Sequence, residues 1–107
     1  MNMDLNLLRA NAGRAALLLK GLANEDRLLL LCQLVDGEKS VSELERLTGI
    51  HQPTLSQQLG VLRNEGLVTT RRDGKWVYYS VASQDALALL NALHALFCAD
   101  GSVGEAQ

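Results

Sequence analysis

Side chains able to do chemistry gather in two places along the chain. The first is a pair of cysteines, Cys32 and Cys98, with His94 one helical turn before the second. A thiolate is a nucleophile and a metal ligand, and a histidine on the same helix face can help to form it. Plainer readings stand beside these. Cys32 sits in the run LLLLCQL, where apolar neighbours favour a buried, inert thiol, and His94 is equally a solvated surface histidine. The second place is a polar stretch, Gln52, Thr54, Ser56, Gln57, Gln58 and Arg63, followed by the basic group Arg71, Arg72 and Lys75. Amides and hydroxyls pair with base edges in the major groove, and arginine and lysine pair with phosphates. The plainer alternatives are an ordinary amphipathic surface helix and solvated charge on a strand edge.

The elements that must carry these residues follow from periodicity. Leu5, Leu8, Ala12 and Leu19 keep a helical spacing, which predicts a first helix over 5–22. Gly13 inside it costs about 1 kcal/mol against alanine, so this helix needs support from elsewhere. Asn24 predicts the cap of a second helix running to about Val35, with Glu25 and Asp26 in its first turn. Its unbroken run Leu28 to Cys32 predicts burial on most sides. Ser40 or Ser42 starts a third, short helix, and Ser42 with Glu45 fits a reciprocal capping pair. Gly49 ends it. Pro53 suits the first turn of a fourth helix, which buries Leu55, Leu59 and Leu62 and stops at Gly66. Leu67 to Arg72 and Lys75 to Val81 read as strands around an Asp73-Gly74 hairpin turn. Ser83 caps a last helix over 84–98.

The whole is 107 residues, one domain in length, with 48% hydrophobic and 21% charged residues, so it folds rather than staying disordered. Leucine and alanine make up a third of the chain, and proline occurs once. That mix favours helices. No apolar stretch is long enough to span a membrane and no secretory signal is visible, so the cytoplasm is the expected location and no membrane partner is expected. Two cysteines in a reducing compartment do not imply a structural disulfide. The formal net charge of −2 argues against a nucleic-acid partner until its distribution is considered. The segment 51–82 is net basic while the rest is net acidic, as in small DNA readers.

The order helix, helix, short helix, tight turn, polar-faced helix, basic hairpin, helix is mainly α with a β-hairpin wing. It is a winged helix-turn-helix, with the helix-turn-helix at about 40–65 and the wing at about 67–82. An enzyme is disfavoured, because no phosphate-binding glycine loop, paired inward carboxylates or other nucleophile–base arrangement is visible. An adaptor winged helix would lack the polar stripe or carry acids in it, whereas residues 53–64 contain no acid.

The runs QPTLSQQLGVLRNEGLV, RRDGKWVYYSV and GLANEDRLLLLCQL resemble the ArsR family of dimeric winged-helix repressors over residues 10–98. The resemblance implies a homodimer joined by the first and last helices, double-stranded operator DNA as partner, and release when an inducer binds or a thiol reacts. Metal-sensing members carry a cysteine box on the short helix, where this chain has SVSELE. Others carry Asp-x-His at the start of the last helix, where this chain has SQDAL. No cofactor or metal is therefore expected. Cys32 and Cys98 instead resemble the dithiol branch, the biofilm- and sulfide-responsive repressors, whose corresponding cysteines join through a disulfide or polysulfide bridge. Oxidant or reactive sulfur is the implied inducer. A metal site using Cys32, His94 and Cys98 remains the alternative.

Overall fold

The computed structural model describes residues 4–97. Helix α1 spans Leu5–Leu22, α2 Glu25–Leu34, α3 Val41–Thr48, α4 Thr54–Asn64 and α5 Gln84–Phe97. Strands β1 (Lys39–Ser40), β2 (Val68–Asp73) and β3 (Trp76–Val81) form an antiparallel sheet in the order β1-β3-β2. This is the expected mainly helical architecture with a hairpin wing, plus one short strand that periodicity could not show. Lys39 and Ser40 pair with Tyr79 and Tyr78 and stitch the wing to the start of α3.

The core is a leucine cluster supplied by every helix: Leu22, Leu30, Leu34, Leu44, Leu55, Leu59, Leu62 and Leu90 are all buried, with Ile50, Leu67, Val68 and Ala86 closing it. Each fully buried leucine contributes roughly 1.5–3 kcal/mol of transfer free energy. The three leucines expected on the inner face of α4 are all in it. Ile50 lies in the helix-turn-helix connection and is buried too, so the turn is pinned from within.

Several details differ from expectation. The capping pair of α3 is Ser40 with Glu43, not Ser42 with Glu45. The Glu43 amide donates to Ser40 Oγ at 3.2 Å and the Ser40 amide to Glu43 Oε1 at 2.9 Å. Pairing of β1 with β3 fixes Ser40 in extended geometry, which makes it the cap. That amide donor holds the Glu43 carboxyl below the usual glutamate range. The hairpin loop is Gly74-Lys75, because Asp73 pairs with Trp76. Gly74 takes the left-handed φ of 61° that a first loop position demands. Finally, α2 is not buried on most sides. Leu30, Leu31 and Leu34 face the core, whereas Leu29 is 44% exposed and Cys32 is exposed as well.

Candidate DNA interface and thiol groove

Burying Leu55, Leu59 and Leu62 turns the opposite side of α4 to solvent, because residues three and four apart share one helix face. Ser56, Gln57 and Arg63 are exposed and Thr54 is half-buried. Gln52 also caps the helix. Its Oε1 accepts the Ser56 amide at 3.0 Å and satisfies one of the open donors at the helix start. Gln58 departs from the expected outward face. It is half-buried, and its Oε1 accepts from Arg27 Nη1 at 3.0 Å. No spacing rule links positions 27 and 58, so the sequence could not show this.

The wing treats its cations unequally. Arg71 lies across from Tyr78, with its guanidinium 4.6 Å from the ring centroid, and it reaches over the central strand to Glu38. There Nε donates to Oε1 at 3.1 Å and Nη2 to Oε2 at 2.6 Å, a two-pronged pair. Hydrogen bonding to Arg71 holds the Glu38 carboxyl below its usual range, and Glu38 raises Arg71 in turn. Arg71 is therefore tied to Glu38 while its side chain stays about half exposed, at 51%. Arg72 is exposed on the neighbouring position, and Lys75 stands at the loop over the Trp76 ring, 5.5 Å from its centroid. Beside Glu38, Lys39 bonds Asp36 at 3.0 Å and keeps that carboxyl below its usual range.

The thiol side is assembled from α2 and α5. Cys32, Val35 and Asp36 line one wall of a groove of about 250 Å³, and Leu90, Asn91 and His94 line the other. The expectation of a buried Cys32 is thus overturned. Its side of α2 faces the groove rather than the leucine cluster. Cys98 lies outside the described residues. Among the described residues no three histidine, cysteine or acidic side chains converge as a metal site would require.

The outer surface of α1 carries Leu5, Leu7, Leu8, Leu17 and Leu19, all more than 40% exposed, and the end of α5 carries exposed Leu96 and Phe97. Leu90 of α5 belongs to the core, so the exposed apolar end of that helix is Leu96 and Phe97. Among the described residues no helix is long and apolar enough to cross a membrane.

Residues 24–70 match the family model described as bacterial regulatory protein, arsR family. The chain is 52% identical over 91% of its length to the biofilm growth-associated repressor of Agrobacterium fabrum, of which 83% is covered. It is 43% identical over 90% of its length to the transcriptional activator HlyU of Vibrio cholerae, covering 89% of that protein. The crystal structure of the transcriptional repressor BigR from Xylella fastidiosa superposes with a TM-score of 0.83 at 50% identity, over 92% of this chain and 100% of that one. The homodimeric winged helix-turn-helix DNA-binding domain Mb0332 from Mycobacterium bovis gives a TM-score of 0.72 at 32% identity, over 90% and 89%. All are regulators rather than enzymes. With the same fold and this depth of similarity along nearly its whole length, the chain belongs to the ArsR family of DNA-binding transcriptional regulators.

Proposed function

We propose that this regulator is a cytoplasmic homodimeric repressor that reads operator DNA with α4 and the wing and is switched off by a link between Cys32 and Cys98. The observation that carries the switch is the exposure of Cys32 on a groove whose other wall is α5, the helix that runs towards Cys98. A thiol open to solvent can meet an oxidant, and one buried among leucines cannot. With peroxide, one thiolate takes an oxygen atom to give a sulfenic acid and an alcohol or water. The second thiol then attacks that sulfur, a sulfur–sulfur bond forms and water leaves. With polysulfide, the first thiolate takes a sulfane sulfur and expels a shorter polysulfide. The second thiolate attacks the sulfur bonded to the first cysteine and expels hydrosulfide, giving a disulfide. Where the first thiolate instead holds a longer hydropolysulfide chain, the second attacks its penultimate sulfur, expels the terminal hydrosulfide and leaves the extra sulfur within the bridge. A direct disulfide needs Cα atoms within about 7 Å, and extra sulfur tolerates a longer gap.

Thr54, Ser56, Gln57 and Arg63 are the base-reading candidates, with Gln52 at the helix start. Arg72 and Lys75 serve the phosphates. The exposed leucines of α1 and the end of α5 support a symmetric dimer, which would read two half-sites about one helical turn, or a multiple of it, apart. A monomeric mass by sedimentation at micromolar concentration removes both the dimer and the half-site pairing.

The experiment is a gel shift with the duplex that the reduced protein selects from a randomised pool, paired with mass spectrometry. Retardation by reduced protein and release with loss of two hydrogens, or gain of sulfur, is the expected result. Release by zinc alone, lost in His94→Ala, would replace this switch by the metal reading, which the shared groove of Cys32 and His94 favours as the second choice.

A further inference from the structure

Arg27 occupies the first turn of α2, the positive end of the helix dipole, where a cation is disfavoured. Something must compensate for that placement. Its amide is fixed by Asn24 Oδ1 at 3.0 Å, and helical side chains lean towards the N-terminus, so the guanidinium reaches back over the end of α1. There Nε donates to the Gly21 carbonyl at 2.7 Å and Nη2 to the Lys20 carbonyl at 3.1 Å. These belong to the last turn of α1, the negative end of that dipole, where the Lys20 carbonyl also accepts the Ala23 cap amide at 3.3 Å. The remaining arm, Nη1, donates to Gln58 Oε1 at 3.0 Å in the middle of α4. One rigid, planar group therefore holds three helices. The end of α1 is also seated directly on the corner after α4. A Cβ added to Gly21 would come within 2.6 Å of Glu65 Oε1 and 2.7 Å of Leu67 Cδ1.

We propose that Arg27 is a positioning residue for DNA recognition, coupling the dimer helix α1 to the reading helix α4, and that Gln58 acts through Arg27 rather than on a base. This rests on the proposal that α4 reads DNA and α1 forms the dimer. Arginine suits this role because its five donors lie in one fixed plane, and lysine offers a single point of charge in exchange. A tilt of α1 moves its last carbonyls, the guanidinium and then Gln58, so the angle between subunits and the setting of α4 change together.

The test is a double-mutant cycle on the full chain, using Arg27→Ala, Gln58→Ala and the double variant, with Arg27→Lys alongside. Each is titrated against the duplex selected by the wild-type chain and against a random duplex of equal length, over a salt series. The expected result is a loss of about tenfold in the selected-to-random ratio for each single variant, and about tenfold, not a hundredfold, for the double. The salt slope stays unchanged, because no phosphate contact is removed. Arg27→Lys keeps the stem and charge and behaves like Arg27→Ala, which separates loss of the fork from loss of folding. Additive losses at the two positions would overturn the proposal, as would an unchanged ratio in Arg27→Lys. A wild-type chain that enriches no duplex overturns the DNA-reading proposal itself, before any variant is made.

Discussion

Helix α4 and the wing present their polar groups by different means. In α4 the polar face is set by what lies behind it: with Leu55, Leu59 and Leu62 buried, Ser56, Gln57 and Arg63 have nowhere to point but outward. The wing has no such backing near its tip. Arg71, Arg72, Asp73, Gly74, Lys75 and Trp76 are all exposed, and the hairpin is oriented by polar and ring contacts, chiefly Arg71 between Tyr78 and Glu38. Apolar backing is insensitive to salt and pH, whereas a surface ion pair is screened by one and titrated by the other. The helix should therefore behave as a fixed reader and the wing as an adjustable one.

The largest expected effect breaks the helix side of that contrast. Leu59→Ala should cost about 2–5 kcal/mol of unfolding free energy, read by chemical denaturation, because it opens a cavity beneath the whole reading face. Next come the residues proposed to read bases. Thr54→Ala and Gln57→Ala should each weaken binding to the selected duplex by about 1–3 kcal/mol while leaving random duplex unaffected. If both side chains can be removed without loss of selectivity, the assigned face of α4 is wrong. On the wing, Arg72→Ala and Lys75→Ala should weaken all duplexes alike, each flattening the salt slope by about one unit.

Arg71 sharpens the comparison. Exchanging the two charges, Glu38→Arg with Arg71→Glu, keeps the tie between wing and body. If Arg71 is a strut, the exchanged protein retains duplex binding within a few-fold and Arg71→Glu alone does not. If Arg71 instead meets phosphate, the exchange fails to rescue.

The smallest effect is in pH. The Glu38 carboxyl sits below its ordinary value because Arg71 donates to it. A lowered folded value means that the tie contributes fully above the ordinary glutamate range, about 4.3, and is lost as pH falls through the lower folded value. The Arg71 Nε–H resonance should therefore hold steady from pH 7 to 5 and move only in stronger acid. A shift centred at neutral pH would contradict the pairing.

What is legible in the sequence follows the same division. Features set by local periodicity or capping can be read: the inner face of α4, Asn24 and Ser83 as caps, and the stops at Gly49 and Gly66. Features made by distant residues meeting cannot. Glu38 and Arg71 are 33 positions apart and Arg27 meets Gln58 across 31, separations that no helix or strand period relates. Only the odd placement of a cation at the start of α2 hints at the latter. The exposure of Cys32 is hidden for a related reason. A run of five apolar residues covers every face of a helix, and only the packing partners decide which faces are covered.

The most direct measurement follows duplex release on adding polysulfide and, separately, peroxide to the reduced wild-type protein and to Cys32→Ser/Cys98→Ser. The wild type should release the duplex by tenfold or more, for which about 1.4 kcal/mol of differential binding suffices, while the double variant binds as tightly and holds on. A double variant that still lets go in response to both reagents would contradict the thiol switch.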